Sequence, residues 1–275
     1  MEKVEEVQTI EVDELKRIQV DVLSAAHDFC MENGIMYSLA CGTLLGAIRH
    51  NGYIPWDDDI DIYMKRPDYE RFIKSFPQAY KEHYKLVSIE RNENWYRLYA
   101  NLYDDRTICR EHKVNDEIQI GAKIDIFPVD NVPDKKIKWK LFDIIRRMLI
   151  YISSAKRIDV RSEHRSFYRQ FFVALFKVLL LPIPSRKLLL WVDSYCQVNN
   201  KSETKRLFEN VCGIIQKNPF KREDFDRVAL HCFENKEFCI MEGFDDYLRN
   251  GFGDYMKLPP EHKRVSNHHF DAYWK

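Results

Sequence analysis

The chain has 275 residues and balances 43 Lys and Arg against 43 Asp and Glu, a formal net charge of zero. That length buries a sizeable core, and the neutral balance gives no bulk attraction to a nucleic acid polymer. Seven cysteines (30, 41, 109, 196, 212, 232 and 239) lie without a Cys-x-x-Cys pair, which argues against a disulfide framework and for a reducing compartment. The start, Met-Glu-Lys-Val-Glu-Glu, lacks the apolar core of a signal peptide, so a cytoplasmic protein is expected.

Residues 11 to 33 carry Val12, Leu15, Ile18, Val22, Leu23, Ala26 and Phe29 at helical spacing, and Asn33-Gly34 closes a packing helix. An apolar segment from Ile35 to Ala40 then leads into Gly42-Thr43 and the amphipathic run Leu44, Leu45, Ala47, Ile48, which reads as strand, tight turn and short helix. Next comes Trp-Asp-Asp-Asp-Ile-Asp-Ile-Tyr-Met, an alternating strand over 57–64. Pro67 with Tyr69, Phe72, Ile73 and Phe76 predicts a helix leaving it. Aromatic and β-branched residues predict strands within 85–108 and 118–129. Trp95, Tyr96, Arg97, Tyr99 and Tyr103 fit either sheet packing or a pocket whose aromatic faces suit a quaternary ammonium.

After Pro133 the pattern changes to long amphipathic stretches over 136–152 and 167–181. The second stops at Pro182 and is too short for a bilayer, which needs ~20 apolar residues. It suits a core helix, or a peripheral contact with Arg165, Arg169 and Lys177 near headgroups at the inner face of the membrane. The C-terminal part, with Pro259-Pro260, reads as an irregular tail. The expected organisation is a packing helix (1–33), a catalytic core (34–133), a helical elaboration (134–217) and a C-terminal segment packed on the core (218–275).

The chemistry is concentrated near residue 60. In an extended strand Asp57, Asp59 and Asp61 share one face and Ile60 and Ile62 the other. Carboxylates at that density repel unless a cation sits among them, and oxygen-only ligands suit a hard ion, Mg2+ or else Mn2+. A solvated turn would not need the Asp-Ile alternation, and an EF-hand is set aside because Ile62 stands where its Gly belongs and Asp68 where its Glu belongs. Gly42 and Thr43 at a helix start offer N–H groups and a hydroxyl to a phosphate, and Arg49 and His50 offer donors at the far end of that helix. His268 and His269 lack cysteines at zinc spacing, so a hydrogen-bonding or phosphate role near the site is the milder expectation.

These segments carry a resemblance. The run Gly-Thr-Leu-Leu-Gly-Ala-Ile-Arg-His (42–50), then Ile-Pro-Trp-Asp-Asp-Asp-Ile-Asp-Ile (54–62), Lys123 to Asp130, and Phe252 to Pro260 are similar to the signature of the LicD family. That family lies in the nucleotidyltransferase superfamily typified by DNA polymerase beta. The resemblance implies an α+β fold with a mixed sheet flanked by helices and a helical insertion. It adds Asp125, between Ile124 and Ile126, as a third carboxylate beside Asp59 and Asp61, all three as metal ligands and catalytic groups. Asp57, Gly42, Thr43, Arg49 and His50, within the matching runs, are expected to contact substrate. The resemblance implies transfer of phosphocholine or a related alcohol phosphate from a CDP-alcohol donor to a glycan or lipid-linked glycan, with CMP released. Nucleotidyl transfer to a small molecule and a non-catalytic nucleotide-binding scaffold remain alternatives. Asp130, ahead of a proline-containing turn, is expected to be structural.

Overall fold

A computed structural model describes residues 8–79, 83–111, 119–156, 167–212, 216, 218–265 and 270–275. A two-residue strand, β1 (Thr9–Ile10), precedes the expected first helix, α1 (Val12–Asn33). Leu15, Ile18, Val22, Leu23, Ala26 and Phe29 are buried along one side of α1, and Gly34 ends it in the left-handed conformation that a residue with a Cβ resists. Then follow β2 (Ser38–Leu39), α2 (Cys41–His50), β3 (Asp61–Lys65) and α3 (Arg66–Ala79). The aspartate strand is thus shorter than its alternation predicts. Asp57 is turned inward by its N–H donating to the Ile54 carbonyl (2.8 Å), and pairing extends upstream of β3 only to Ile60, whose carbonyl accepts from the Asp125 N–H (2.8 Å).

The chain continues with β4 (Tyr84–Val87), β5 (Ala100–Asp104), β6 (Thr107–Glu111) and β7 (Lys123–Asn131). The helices α4 (Lys136–Ser154), α5 (Phe167–Leu179) and α6 (Ser185–Cys196) come next, followed by β8 (Arg206–Phe208) and β9 (Phe220–Lys221). The end of the chain is more regular than the expected tail: β10 (Val228–Phe233), β11 (Lys236–Met241), α7 (Phe244–Phe252) and β12 (Phe270–Trp274).

The central sheet is mixed, in the order β2-β3-β7-β5-β4, with β8 and β9 added beyond the end of β7. Only β3 and β7 run parallel; the other pairs are antiparallel. Ile62 lies beside Ile126 in that parallel register, and both are fully buried. Their side of the sheet faces a core in which Phe29 of α1 meets Phe72 and Phe76 of α3 edge-on. Alternation then sends Asp61 and Asp125 to the opposite side. A second sheet, β1-β12-β6, joins the two ends of the described chain.

Two features brace the region around α2. The β10–β11 hairpin turns on Glu234 and Asn235, both at positive φ, which the tight primed turns of hairpins require. Its tip grips the loop after α2: the Glu234 N–H donates to the Asn51 carbonyl (3.0 Å) and the Glu234 carboxylate accepts from the Tyr53 N–H (3.0 Å). That loop folds back so closely that a Cβ on Gly46 would collide with the Gly52 carbonyl.

Asp130 has the expected structural role in another form. At the end of β7 it receives two of the three arms of the buried Arg66 guanidinium (2.8 and 2.7 Å) and the Asn200 amide (2.6 Å). The third arm of Arg66 reaches Asp193 on α6 (3.0 Å), which also accepts from Gln197 (2.6 Å). Sheet, α3 and α6 are locked together by this network.

Candidate active site

Parallel pairing sets Asp61 directly beside Asp125 on neighbouring strands, both more than nine-tenths buried. Asp57 and Asp59 approach from the segment before β3 and are half-buried. Burial pushes the Asp61 carboxyl well above the usual carboxylate range, and the charges of Asp59, Asp125 and Asp57 push it further, while Lys123 draws it back. Four carboxylates therefore act on one another across the head of the β3–β7 pair.

The first turn of α2 is fastened to the same place. The Ala40 N–H donates to the Asp61 carbonyl (2.9 Å), and the Thr43 hydroxyl oxygen accepts from the Asp61 N–H (2.9 Å). Thr43 thus holds the backbone of Asp61. Gly42 lets the Asp57 carboxylate come against the helix start, where a Cβ would strike it. Cys41 sits at φ 50°, and its N–H donates to the Tyr247 hydroxyl (3.3 Å). The structure therefore gathers Gly42, Thr43, Asp57, Asp59, Asp61 and Asp125.

Arg49 and His50 lie at the other end of α2, about 10 Å along the helix from Gly42 at the helical rise. One arm of Arg49 donates to the Tyr255 carbonyl (2.6 Å) and its Nε to His50 Nδ1 (3.4 Å). Burial lowers the pKa of Arg49, and burial with the Arg49 charge lowers that of His50. His50 also lies edge-on to Trp56, under the Arg264 guanidinium, so this cluster holds the C-terminal segment to α2. His268 and His269 fall outside the described residues.

Thr43→Val tests the backbone contact. It leaves a buried N–H without its acceptor, an expected loss of about 1–3 kcal/mol of stability together with reduced turnover as Asp61 loosens. Unchanged thermal unfolding with weakened donor binding would instead make the hydroxyl a ligand group.

Several neighbours escaped the sequence reading. Lys123, two residues before Asp125 on the same strand face, donates to Asp125 Oδ1 (2.6 Å), and so does the amide of the fully buried Asn101 (2.5 Å), directly across from Asp125 on β5. Strand alternation alone pointed to Lys123; Asn101 needed the β5–β7 register. Glu209, just after β8, is buried and accepts from the Val211 and Cys212 N–H groups (2.8 and 2.5 Å), and its charge bears on Cys41, Tyr63 and Cys212. Among the aromatic candidates, Trp95 is core, with its indole N–H on the Tyr99 carbonyl (2.8 Å). The rings of Tyr96 and Tyr99 already carry the Arg97 guanidinium (5.3 and 5.8 Å), a cation that competes with any ammonium there.

Among the described residues no three His, Cys, Asp or Glu stand pre-arranged around a metal. The donor set nevertheless fits one. Asp61 and Asp125 are adjacent buried carboxylates with Asp59 close behind, all-oxygen chemistry that suits a hard cation, and Lys123 supplies the cationic partner that Asp125 has in its place.

The fold and the site define a mixed α/β protein with a carboxylate centre at a parallel strand pair and a helix start braced against it. A family profile described as LicD/FKTN/FKRP, nucleotidyltransferase domain, matches residues 34–150, which include all of those carboxylates. Over 271 residues the chain is 33% identical to the lipopolysaccharide cholinephosphotransferase LicD of Haemophilus influenzae, an alignment spanning 94% of this chain and 97% of that one. The chain belongs to the LicD family. Shorter similarities reach uncharacterized proteins of Rickettsia typhi (34% identity over 82 residues, 30% of this chain and 26% of that protein) and Rickettsia prowazekii (40% over 73 residues, 26% and 27%).

Proposed function

We propose that this chain is a transferase that moves phosphocholine, or a related alcohol phosphate, from a CDP-activated donor to a hydroxyl of a cell-surface glycan or its lipid-linked precursor. The observation that carries the reading is the registered pair Asp61 and Asp125 with Asp59 at its edge, in a chain similar along nearly its whole length to a lipopolysaccharide cholinephosphotransferase. The nucleotidyltransferase fold of DNA polymerase beta is part of the same proposal, supported by the family description and by the helix start braced on a carboxylate strand.

Asp59, Asp61 and Asp125 would hold Mg2+, or Mn2+ in its stead, and the ion when bound would offset negative charge on the diphosphate. The N-terminal turn of α2 at Gly42 and Thr43 would face the donor's phosphates. The acceptor oxygen forms a bond to the phosphorus that bears choline, the bond from that phosphorus to the bridging oxygen breaks, and CMP leaves with that oxygen. Asp125 would receive the acceptor's proton, with Lys123 and Asn101 fixing its carboxylate. Attack at the other phosphorus would transfer the nucleotide instead.

The test is CMP release from CDP-choline, CDP-ribitol and CDP-glycerol with Mg2+ and candidate glycan acceptors. Acceptor-dependent CMP release is expected from CDP-choline, and it should cease on chelation. Pyrophosphate release from a nucleoside triphosphate would favour nucleotidyl transfer, and nucleotide binding without turnover would favour a scaffold.

A further inference from the structure

Helix α4 is apolar on two sides. Trp139, Phe142 and the partly buried Leu149 and Ile150 pack inward, whereas Ile137, Leu141, Ile144, Met148 and Tyr151 form a stripe on the exposed side, with Ile137 84% and Ile144 64% exposed. An apolar stripe with nothing over it is what a globular helix normally avoids. The next helix in the chain, α5, repeats the pattern: Val173 is buried, while Tyr168, Phe171, Phe172, Val178 and Leu179 are exposed. Lys156, just past α4, ties this region together by donating to the Ile183 carbonyl in the turn between α5 and α6 (2.5 Å).

Charge distinguishes between coverings. The whole chain is neutral, yet residues 135–191 hold fourteen Lys and Arg against three Asp and Glu. Exposed Lys138, Lys140 and Arg147 flank the α4 stripe, and Lys135 and Lys136 stand at its start. The stripe's four- and three-residue spacing would also serve a helix pair with a second copy. In such a pair the flanking positions would set basic residues against basic residues, a repulsive arrangement. An anionic lipid surface reverses the sign: the apolar stripe enters the acyl boundary while the lysine stems reach back to the headgroups. No described helix is long and apolar enough to cross a bilayer, so the contact is with its surface.

We propose that α4 and α5 form a platform that lies on anionic membranes. The sequence alone suggests such contact only for 167–181; the α4 stripe and its lysines give the surface its second half. The platform's use, to bring the site to a lipid-linked acceptor, rests on the proposed function, but the binding does not.

The test is co-sedimentation of the full chain with phosphatidylcholine vesicles, with and without phosphatidylglycerol, and with no donor or acceptor present. Binding is expected to the anionic vesicles alone and to weaken as salt rises. Leu141→Asp with Ile144→Asp, and separately Lys138→Glu with Lys140→Glu, should each lower vesicle affinity by about tenfold or more while thermal unfolding is unchanged. CMP release with a soluble acceptor should also be unchanged in both variants, so failed transfer and failed membrane binding are told apart. Absence of binding to anionic vesicles, or equal binding by the variants, overturns the proposal. So does a wild-type dimer that the Leu141→Asp, Ile144→Asp variant splits, because the face then belongs to a second copy.

Discussion

Asp61→Asn is expected to lower transfer by about three orders of magnitude or more while leaving the protein at least as resistant to heat as the wild type. The two effects have one origin. Asp61 is buried beside Asp59, Asp125 and Asp57, and its ionised form is opposed first by burial and then by those charges. Asparagine keeps the shape, removes that repulsion and relieves the folded state. The same charge is what would hold a cation against the donor, where charge stabilisation in the transition state is worth several kcal/mol, about 4 for a thousandfold change in rate. Asp125→Asn separates the roles of the pair. Asp125 already receives Lys123 and Asn101, so neutralising it breaks a charge-assisted contact and should lower the unfolding temperature while also removing activity. Near-wild-type turnover by Asp61→Asn would remove Asp61 from the chemistry, and a large fall in its unfolding temperature would make the carboxylate structural.

How far the site was legible follows from what local pattern encodes. The face of Asp61 against Ile62 was readable because strand alternation is a two-residue rule, whereas Asp125 came from the family resemblance and alternation gave only its side of the strand. The rule overreached at Asp57 and Asp59: alternation says which side a residue would take, but the turn back to Ile54 ends the strand first. That Asp61 faces Asp125 follows from the register of a parallel pair some sixty residues apart, which neither segment states by itself. The hydroxyl of Thr43 suits a phosphate by its place at a helix start, but its second contact, accepting from the Asp61 N–H, depends on where the next strand runs. Arg49 and His50 were correctly placed at the far end of the helix, but their tie to Tyr255 depends on a segment more than two hundred residues away. The C-terminal hairpin went unread since its turn is Glu-Asn, without the glycine that marks most two-residue turns.

Asp130→Ala should produce the largest loss of stability. Arg66 is buried at the start of α3 and gives two of its arms to Asp130 and one to Asp193. Cutting the carboxylate away leaves the guanidinium with only Asp193, whose own carboxyl is pushed up to about 6 by burial, partly offset by Arg66. It also leaves the Asn200 amide without its acceptor. Removing one member of such a buried pair costs about 3–5 kcal/mol, because the other charge stays in a medium that solvates it poorly. At roughly 2–4 °C per kcal/mol for a chain of this size, the unfolding temperature should fall by about 10 °C. Replacing both partners, Arg66→Met with Asp130→Leu, should recover part of that loss, since the one carboxyl then left without the guanidinium is Asp193, which keeps its Gln197 donor. If the single and double variants fall equally, the network contributes through its hydrogen bonds to α6 and Asn200 and not through charge. If Asp130→Ala unfolds like the wild type, the end of β7 is held by packing alone. Either way transfer should decline only as folded protein is lost, because Asp130 lies five residues beyond Asp125, at the opposite end of β7.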